Sequence, residues 1–132
     1  FQILTESGLL EGSLLRNAKL NFICKNQSLS VHSCSSIFTS NLKHYGRITL
    51  PIAHHDGNYY LNRSDAIRLE ENDQIAFKYA CNPNGSTNNI AGVLSKNRRI
   101  LGLMPHPERA IDKDNSSGHG TYIFKSIVDN FS

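Results

Sequence analysis

The chain has 132 residues, of which 39% are hydrophobic and 19% are charged; this fits one globular domain with a modest core and excludes a disordered chain. No apolar run approaches the length of a membrane span, so we expect no membrane partner. The net charge is +3. The one basic cluster of the chain, residues 96–99, lies between two apolar runs, as the turn of a hairpin would. We therefore expect no nucleic-acid partner.

The chain contains three widely spaced cysteines, Cys24, Cys34 and Cys81. An odd count without a C-x-x-C spacing argues against a disulfide framework and against a structural zinc site. This usage favours a reducing, cytoplasmic location.

Taken in chain order, the pattern predicts a helix at the start, then short strands with one helix between them, and a final helix. Residues 1–10 resemble a helix that stops near Gly8. Residues 64–71 are predicted to form a second helix with Ser64 as its N-cap. Residues 121–131 are predicted to form a third helix with one apolar face. The predicted strands are Leu20–Cys24, Leu29–His32, Ile48–Ala53, Gln74–Tyr79, Ile90–Leu94 and Ile100–Met104, the last two joined as a hairpin.

The segment Pro105-His106-Pro107-Glu108 contains an imidazole between two prolines and a carboxylate two residues later. The prolines stiffen the backbone and hold His106 away from helical geometry. In an extended segment residues i and i+2 lie on the same side, so His106 and Glu108 can meet as a base and the group that orients it. A histidine between prolines is also a common packing residue, so both interpretations stay open.

A second polar segment, 54–60, follows an apolar strand and reads His-His-Asp-Gly-Asn-Tyr-Tyr. Such loops at strand ends often bind ligands. A metal site built from His54, His55 and His106 is disfavoured, because adjacent strand residues point to opposite faces. Substrate recognition through the loop backbone and Gly57 fits better, and a polar surface loop is equally compatible with the spacing.

Several separated motifs in this order resemble one family, the glutaminase subunits of phosphoribosylformylglycinamidine synthase, which are class I, triad-type glutamine amidotransferases. The resemblance extends over essentially the whole chain. The matching motifs are Phe1-Gln2-Ile3-Leu4, Arg16-Asn17, Phe22-Ile23-Cys24, Pro51-Ile52-Ala53-His54, Gly57-Asn58, Asn84-Gly85-Ser86, Ile90-Ala91-Gly92-Val93 and Gly102 to Ala110.

This resemblance implies a single α/β domain over 1–132, the C-terminal part of a flavodoxin-like amidotransferase fold with β-rich hairpins and a C-terminal helix. It implies hydrolysis of glutamine to glutamate and ammonia, with the ammonia used to amidate formylglycinamide ribonucleotide in purine biosynthesis. The implied partners are a synthetase subunit, which would bind ATP and Mg²⁺, and a small accessory subunit. No cofactor or metal is expected in the chain itself.

The resemblance also implies roles for individual residues. His106 would be the general base and Glu108 its orienting carboxylate. Gln2 would contact the substrate glutamine, and His54, His55 and Gly57 would lie beside it.

The chain departs from the family at the nucleophile. The family's cysteine lies in a G-V-C-N-G elbow just before the residues that match Phe1 and Gln2, and this elbow is not in the chain. Cys24, Cys34 and Cys81 do not replace it, because none lies in a Gly-flanked strand-to-helix turn. We therefore expect the C-terminal portion of a longer enzyme, inactive by itself. The alternatives are a nucleophile-free binding or assembly module and, more remotely, a metal-dependent hydrolase.

Overall fold

The computed structural model describes all residues from 1 to 132. It contains three α-helices and seven β-strands, with three short 3₁₀ turns between them. In chain order the helices and strands are α1 (Gln2–Glu6), β1 (Ser13–Leu15), β2 (Ile23–Val31), β3 (Arg47–His54), β4 (Asn58–Tyr60), α2 (Arg63–Glu71), β5 (Ile75–Tyr79), β6 (Ile90–Leu94), β7 (Leu101–Leu103) and α3 (Gly120–Phe131). The 3₁₀ turns are Ser40–Leu42, Thr87–Asn89 and Pro107–Arg109.

Five of the strands form one antiparallel sheet in the order β3-β2-β5-β6-β7, and β1 pairs with β4 in a separate ribbon. Buried and more accessible residues alternate along β3, so Ile48, Leu50 and Ile52 all point inward. Each of these side chains contributes about 2 kcal/mol by its burial. The same period of two also points His54 inward, at the end of the strand.

The core has two parts. The larger one includes Leu50, Phe77 and Ile123, and it joins the sheet to α3. The smaller one packs Leu69 of α2 and Tyr59 of β4 against β5 and β6. Helices therefore cover the sheet, as the predicted α/β class requires. No helix combines the length and apolarity needed to cross a bilayer.

The structure changes three details of the predicted elements. Leu20–Cys24 and Leu29–His32 are not separate strands, because β2 runs unbroken from Ile23 to Val31 and pairs with β3 over almost its whole length. The N-cap of α2 is Asn62 rather than Ser64, since the Asn62 side chain accepts the Asp65 N–H. The short strands β1 and β4 were not predicted; they pair only with each other.

Only part of the apolar face predicted for the last helix is buried. Ile123 is buried, but Phe124, Val128 and Phe131 are exposed. The helix turns the small Ser126 towards the 3₁₀ turn at Ser40–Leu42, where its hydroxyl accepts the Asn41 N–H at 2.8 Å. The remaining boundaries agree with the prediction: α1 ends before Gly8, whose φ is +75°, and β6 and β7 form the expected hairpin.

Candidate active site

His106 and Glu108 are in direct contact, with Nδ1 of the imidazole 2.7 Å from Oε1 of the carboxylate. The sequence predicted this pair, but the backbone brings it together through a turn rather than an extended segment. His106 caps a 3₁₀ turn at Pro107–Arg109, and proline is well suited to the first position of such a turn. Both side chains are partly open to solvent.

Hydrogen bonding determines which imidazole nitrogen can act as a base. An ionised carboxylate only accepts hydrogen bonds, so Nδ1 of neutral His106 carries the hydrogen and donates a hydrogen bond to Glu108. The lone pair is then on Nε2, the nitrogen that does not contact Glu108. A base whose other nitrogen is held by a carboxylate is the arrangement used to activate a thiol or hydroxyl nucleophile.

The edge of β3 fixes the position of His106. The backbone N–H of His106 donates to the carbonyl of Pro51 at 2.8 Å. Two residues earlier along the same edge, the N–H of Thr49 donates to Nδ1 of His119, and the carbonyl of Thr49 accepts the Ser117 hydroxyl. These contacts satisfy backbone groups that an edge strand otherwise leaves unpaired.

Gly120, the first residue of α3, packs directly against the turn that carries the pair. Its N–H donates to the Ala110 carbonyl at 2.8 Å. A Cβ on this residue would overlap the Pro107 carbonyl. A glycine is therefore required here for close approach of two backbones rather than for a positive φ.

The second polar segment is organised around the fully buried Asn17. Its Nδ2 donates to the carbonyl of His54 at 2.8 Å. Its Oδ1 accepts the N–H of Gly57 at 3.0 Å and lies 3.0 Å from Nδ1 of His54. A Cβ on Gly57 would overlap the His54 ring, so the loop closes tightly over the imidazole.

Asn84 completes this cluster from the turn between β5 and β6. It is buried, and its Nδ2 lies 3.4 Å from Nε2 of His54 and 3.3 Å from the hydroxyl of Tyr79. In the sequence, Asn17 and Asn84 appear only as parts of motifs that carry the family resemblance, and neither residue is predicted to have a site role. No local pattern identifies either residue as a partner of His54, because 37 and 30 positions separate them from it.

Two other predicted substrate residues lie outside this network. His55 is exposed and packs against Phe22, with 5.1 Å between the ring centroids. It also lines an open cavity of about 370 Å³ with Arg16, Leu20 and Asp56. Gln2 is exposed on α1, where its amide donates to Glu6 at 2.7 Å.

Burial and charge together lower the pKa of His54. Desolvation makes the largest contribution and the nearby His106 adds to it, whereas a hydrogen bond with the backbone and the charge of Asp56 act in the opposite direction. Burial also raises the pKa of Tyr79 well above its ordinary value. The interior of the cluster is therefore uncharged at neutral pH.

The site does not gather the ligands of a metal ion. No three His, Cys, Asp or Glu side chains converge on one point. Nδ1 of His54 is already held by Asn17, and His55 lies against Phe22. No thiol of Cys24, Cys34 or Cys81 hydrogen bonds with His106 or any other group; all three cysteines are free.

Residues 1–125 match the model of the CobB/CobQ-like glutamine amidotransferase domain. A curated relative from Ruegeria pomeroyi, phosphoribosylformylglycinamidine synthase subunit PurQ, is 50% identical over 128 residues, which are 97% of this chain and 58% of the relative. A second relative with the same name, from Roseobacter denitrificans, is 49% identical over the same shares. The chain thus spans 58% of the length of these relatives.

Solved structures resemble the fold. The structure of PurLQS from Thermotoga maritima matches with a TM-score of 0.88 and 36% identity, over 99% of this chain and 58% of that one. The glutaminase domain of Trypanosoma brucei CTPS matches with a TM-score of 0.50 and 14% identity, over 83% of this chain and 40% of that one; at that identity the match concerns the fold alone. The family model, which extends over nearly the whole chain, agrees with the fold and confirms the resemblance seen in the sequence: this chain belongs to the CobB/CobQ-like glutamine amidotransferase domain family.

Proposed function

We propose that this chain supplies the base and the orienting carboxylate for hydrolysis of glutamine to glutamate and ammonia. The observation that carries the proposal is the 2.7 Å contact between Nδ1 of His106 and Oε1 of Glu108. It leaves Nε2 of His106 available to take a proton from a nucleophile and return it to the departing ammonia. Glu108 stabilises the imidazolium that forms in between.

The nucleophile in this proposal is a cysteine outside the 132 residues. His106 needs a thiol within hydrogen-bond distance of Nε2, and none of the chain's three cysteines occupies that position. The relatives are longer than this chain, which covers 58% of the one from Ruegeria pomeroyi. The thiolate would attack the side-chain carbonyl carbon of glutamine and release ammonia, and water would then hydrolyse the resulting thioester.

We further propose that the ammonia amidates formylglycinamide ribonucleotide in purine biosynthesis. The support is the name of the relatives at about 50% identity, phosphoribosylformylglycinamidine synthase subunit PurQ. The similar Thermotoga maritima structure is an assembly of three components, PurL, PurQ and PurS by its name. The partners proposed for this chain are accordingly a synthetase subunit, which would use ATP and Mg²⁺, and a small accessory subunit.

The test uses the full-length gene product that contains these residues, assayed for glutamate release from glutamine. His106→Ala removes the base and should lower kcat by about 10³-fold or more. Glu108→Gln should also lower kcat strongly, because the imidazole loses its fixed tautomer. His44→Gln is the matched control, since His44 is exposed and makes no side-chain hydrogen bond.

Each outcome decides between two functions. Loss of activity in both site variants, with the control unchanged, supports catalysis by this pair. Glutaminase activity that survives His106→Ala would refute the assigned role. A wild-type protein that binds the synthetase but releases no glutamate would favour the nucleophile-free assembly module.

A further inference from the structure

We infer that His54 is a positioning residue for glutamine hydrolysis, held neutral with its proton on Nδ1, which ties the 54–57 loop and the Asn84 turn together beside His106. This inference rests on the proposed glutaminase function. It assigns His54 a role different from the substrate contact that the sequence resemblance implies.

Backbone partners fix the orientation of the Asn17 amide. Nδ2 of Asn17 donates to two carbonyls, those of Asn21 at 2.7 Å and His54 at 2.8 Å. The N–H of Gly57 donates to Oδ1 at 3.0 Å. Backbone groups cannot exchange donor and acceptor roles, so the flipped amide would oppose all three partners. Oδ1 of Asn17 therefore faces His54 as an acceptor.

This orientation determines the tautomer of His54. Its Nδ1 lies 3.0 Å from Oδ1 of Asn17 and so carries the hydrogen. On the other side of the ring, the N–H of Ser86 donates to Oδ1 of Asn84, which turns the Nδ2 of Asn84 towards Nε2 of His54 at 3.4 Å. A neutral Nε2 accepts from that amide. A second proton on the ring would place one donor against another.

Both ring nitrogens of His54 therefore have partners inside the chain. The residue is only 8% exposed, and no ring nitrogen is left for a substrate. In contrast, the next two residues, His55 and Asp56, are exposed to solvent. The imidazole thus holds the loop, while the loop residues beyond it remain open to a ligand.

The same strand connects His54 with His106. Pro51, three residues before His54 on β3, accepts the backbone N–H of His106. His106 becomes positively charged when it takes a proton during the reaction, and a second charge on His54 would oppose this. The charged groups that act on His54 are His106, which disfavours its protonation, and Asp56, which favours it. Burial has the largest effect and lowers the pKa of His54, against a hydrogen bond with the backbone that raises it.

Two substitutions at His54 remove the two hydrogen bonds of its imidazole one at a time. His54→Asn keeps a donor near the place of Nδ1, towards Asn17, and removes the atom that faces Asn84. His54→Gln extends to the place of Nε2 and offers Asn84 an acceptor, but does not donate to Asn17. We expect kcat/KM for glutamine to fall about ten-fold in His54→Asn and further in His54→Gln. The second variant loses the bond to Asn17, and Asn17 also binds the backbone of His54 and Gly57.

The pH profile distinguishes positioning from a general loss of structure. In the full-length wild type, the acid limb of kcat/KM should include a step from the protonation of His54. In His54→Asn and His54→Gln the acid limb should lack this step, whereas the control His44→Gln should keep it. An acid limb that is the same in wild type and in the His54 variants would overturn the inference.

A second measurement needs no activity and no variant. In the full-length protein labelled with ¹⁵N-histidine, the His54 ring should carry its hydrogen on Nδ1 and stay neutral below the ordinary histidine pKa of about 6.5. A neutral His54 ring with its hydrogen on Nε2, or a ring that becomes charged at the ordinary histidine pKa of about 6.5, would overturn the inference even if the variants do not fold. A wild type without glutaminase activity would refute the proposed function, and the ring tautomer would still test the His54 network separately.

Discussion

Asn17 provides the most direct test of how the site is held together. Its side chain is fully buried and has four partners, the carbonyls of Asn21 and His54, the N–H of Gly57, and Nδ1 of His54. Asn17→Ala removes all four contacts and leaves buried backbone groups unpaired. At about 1 kcal/mol for each bond, the free energy of unfolding should fall by about 4 kcal/mol. Domains of this size are stable by about 5–15 kcal/mol, so most of the protein should stay folded.

Urea unfolding of the full-length protein, followed by circular dichroism, measures this change. Asn41→Ala is the matched control, because its Nδ2 makes one exposed bond to Asp129 and its loss should cost less than about 0.5 kcal/mol. Asn17→Asp keeps the acceptor but places a carboxylate oxygen against two carbonyls, so it should also be destabilising. If Asn17→Ala lowers the free energy of unfolding no more than the control does, the hydrogen bonds of Asn17 do not hold these loops together.

Three further predictions concern the contacts around the site. Gly57→Ala should reduce both stability and glutaminase activity, because its Cβ would overlap the His54 ring; urea unfolding and a glutamate assay measure both. Gly120→Ala should displace the turn at Pro107 and lower kcat without removing any side chain of the pair, and a kcat equal to wild type would contradict this. Because the pKa of His54 is lowered in the folded state, the unfolded state binds more protons below the ordinary histidine pKa of about 6.5, and the stability contributed by His54 should fall as pH decreases from there. Unfolding at several pH values should show a weaker acid-side loss for His54→Gln than for wild type, and equal losses would contradict the assignment.

Local patterns in the sequence were sufficient to predict the contact between His106 and Glu108 and most of the helices and strands. His106 and Glu108 are two positions apart, so any compact turn or extended segment brings them together. The apolar run 48–53 predicted the strand that the structure shows as β3. The end of α1 at Gly8 followed from the one residue there that readily adopts a positive φ.

Contacts between distant segments could not be predicted in the same way. Asn17 contacts His54 because His54 lies at the end of β3 and the segment after β1 places Asn17 beside it. The two predicted strands that form β2 show the same limit: the polar residues between Cys24 and Leu29 interrupt the hydrophobic pattern. Pairing with β3 nevertheless continues through them, from Cys24 opposite Ala53 to Leu29 opposite Ile48.

The residues of the site therefore differ in burial as well as in role. His106 and Glu108 are partly exposed, and the bond between them is local, so their loss should remove activity while changing stability by less than about 1 kcal/mol. Asn17 and Gly57 are buried and hold the 54–57 loop, which follows the strand that binds the His106 N–H, so their loss should reduce stability and activity together. A substitution at His106 that unfolded the protein would contradict this division, because only its backbone N–H, which any replacement except proline retains, binds β3.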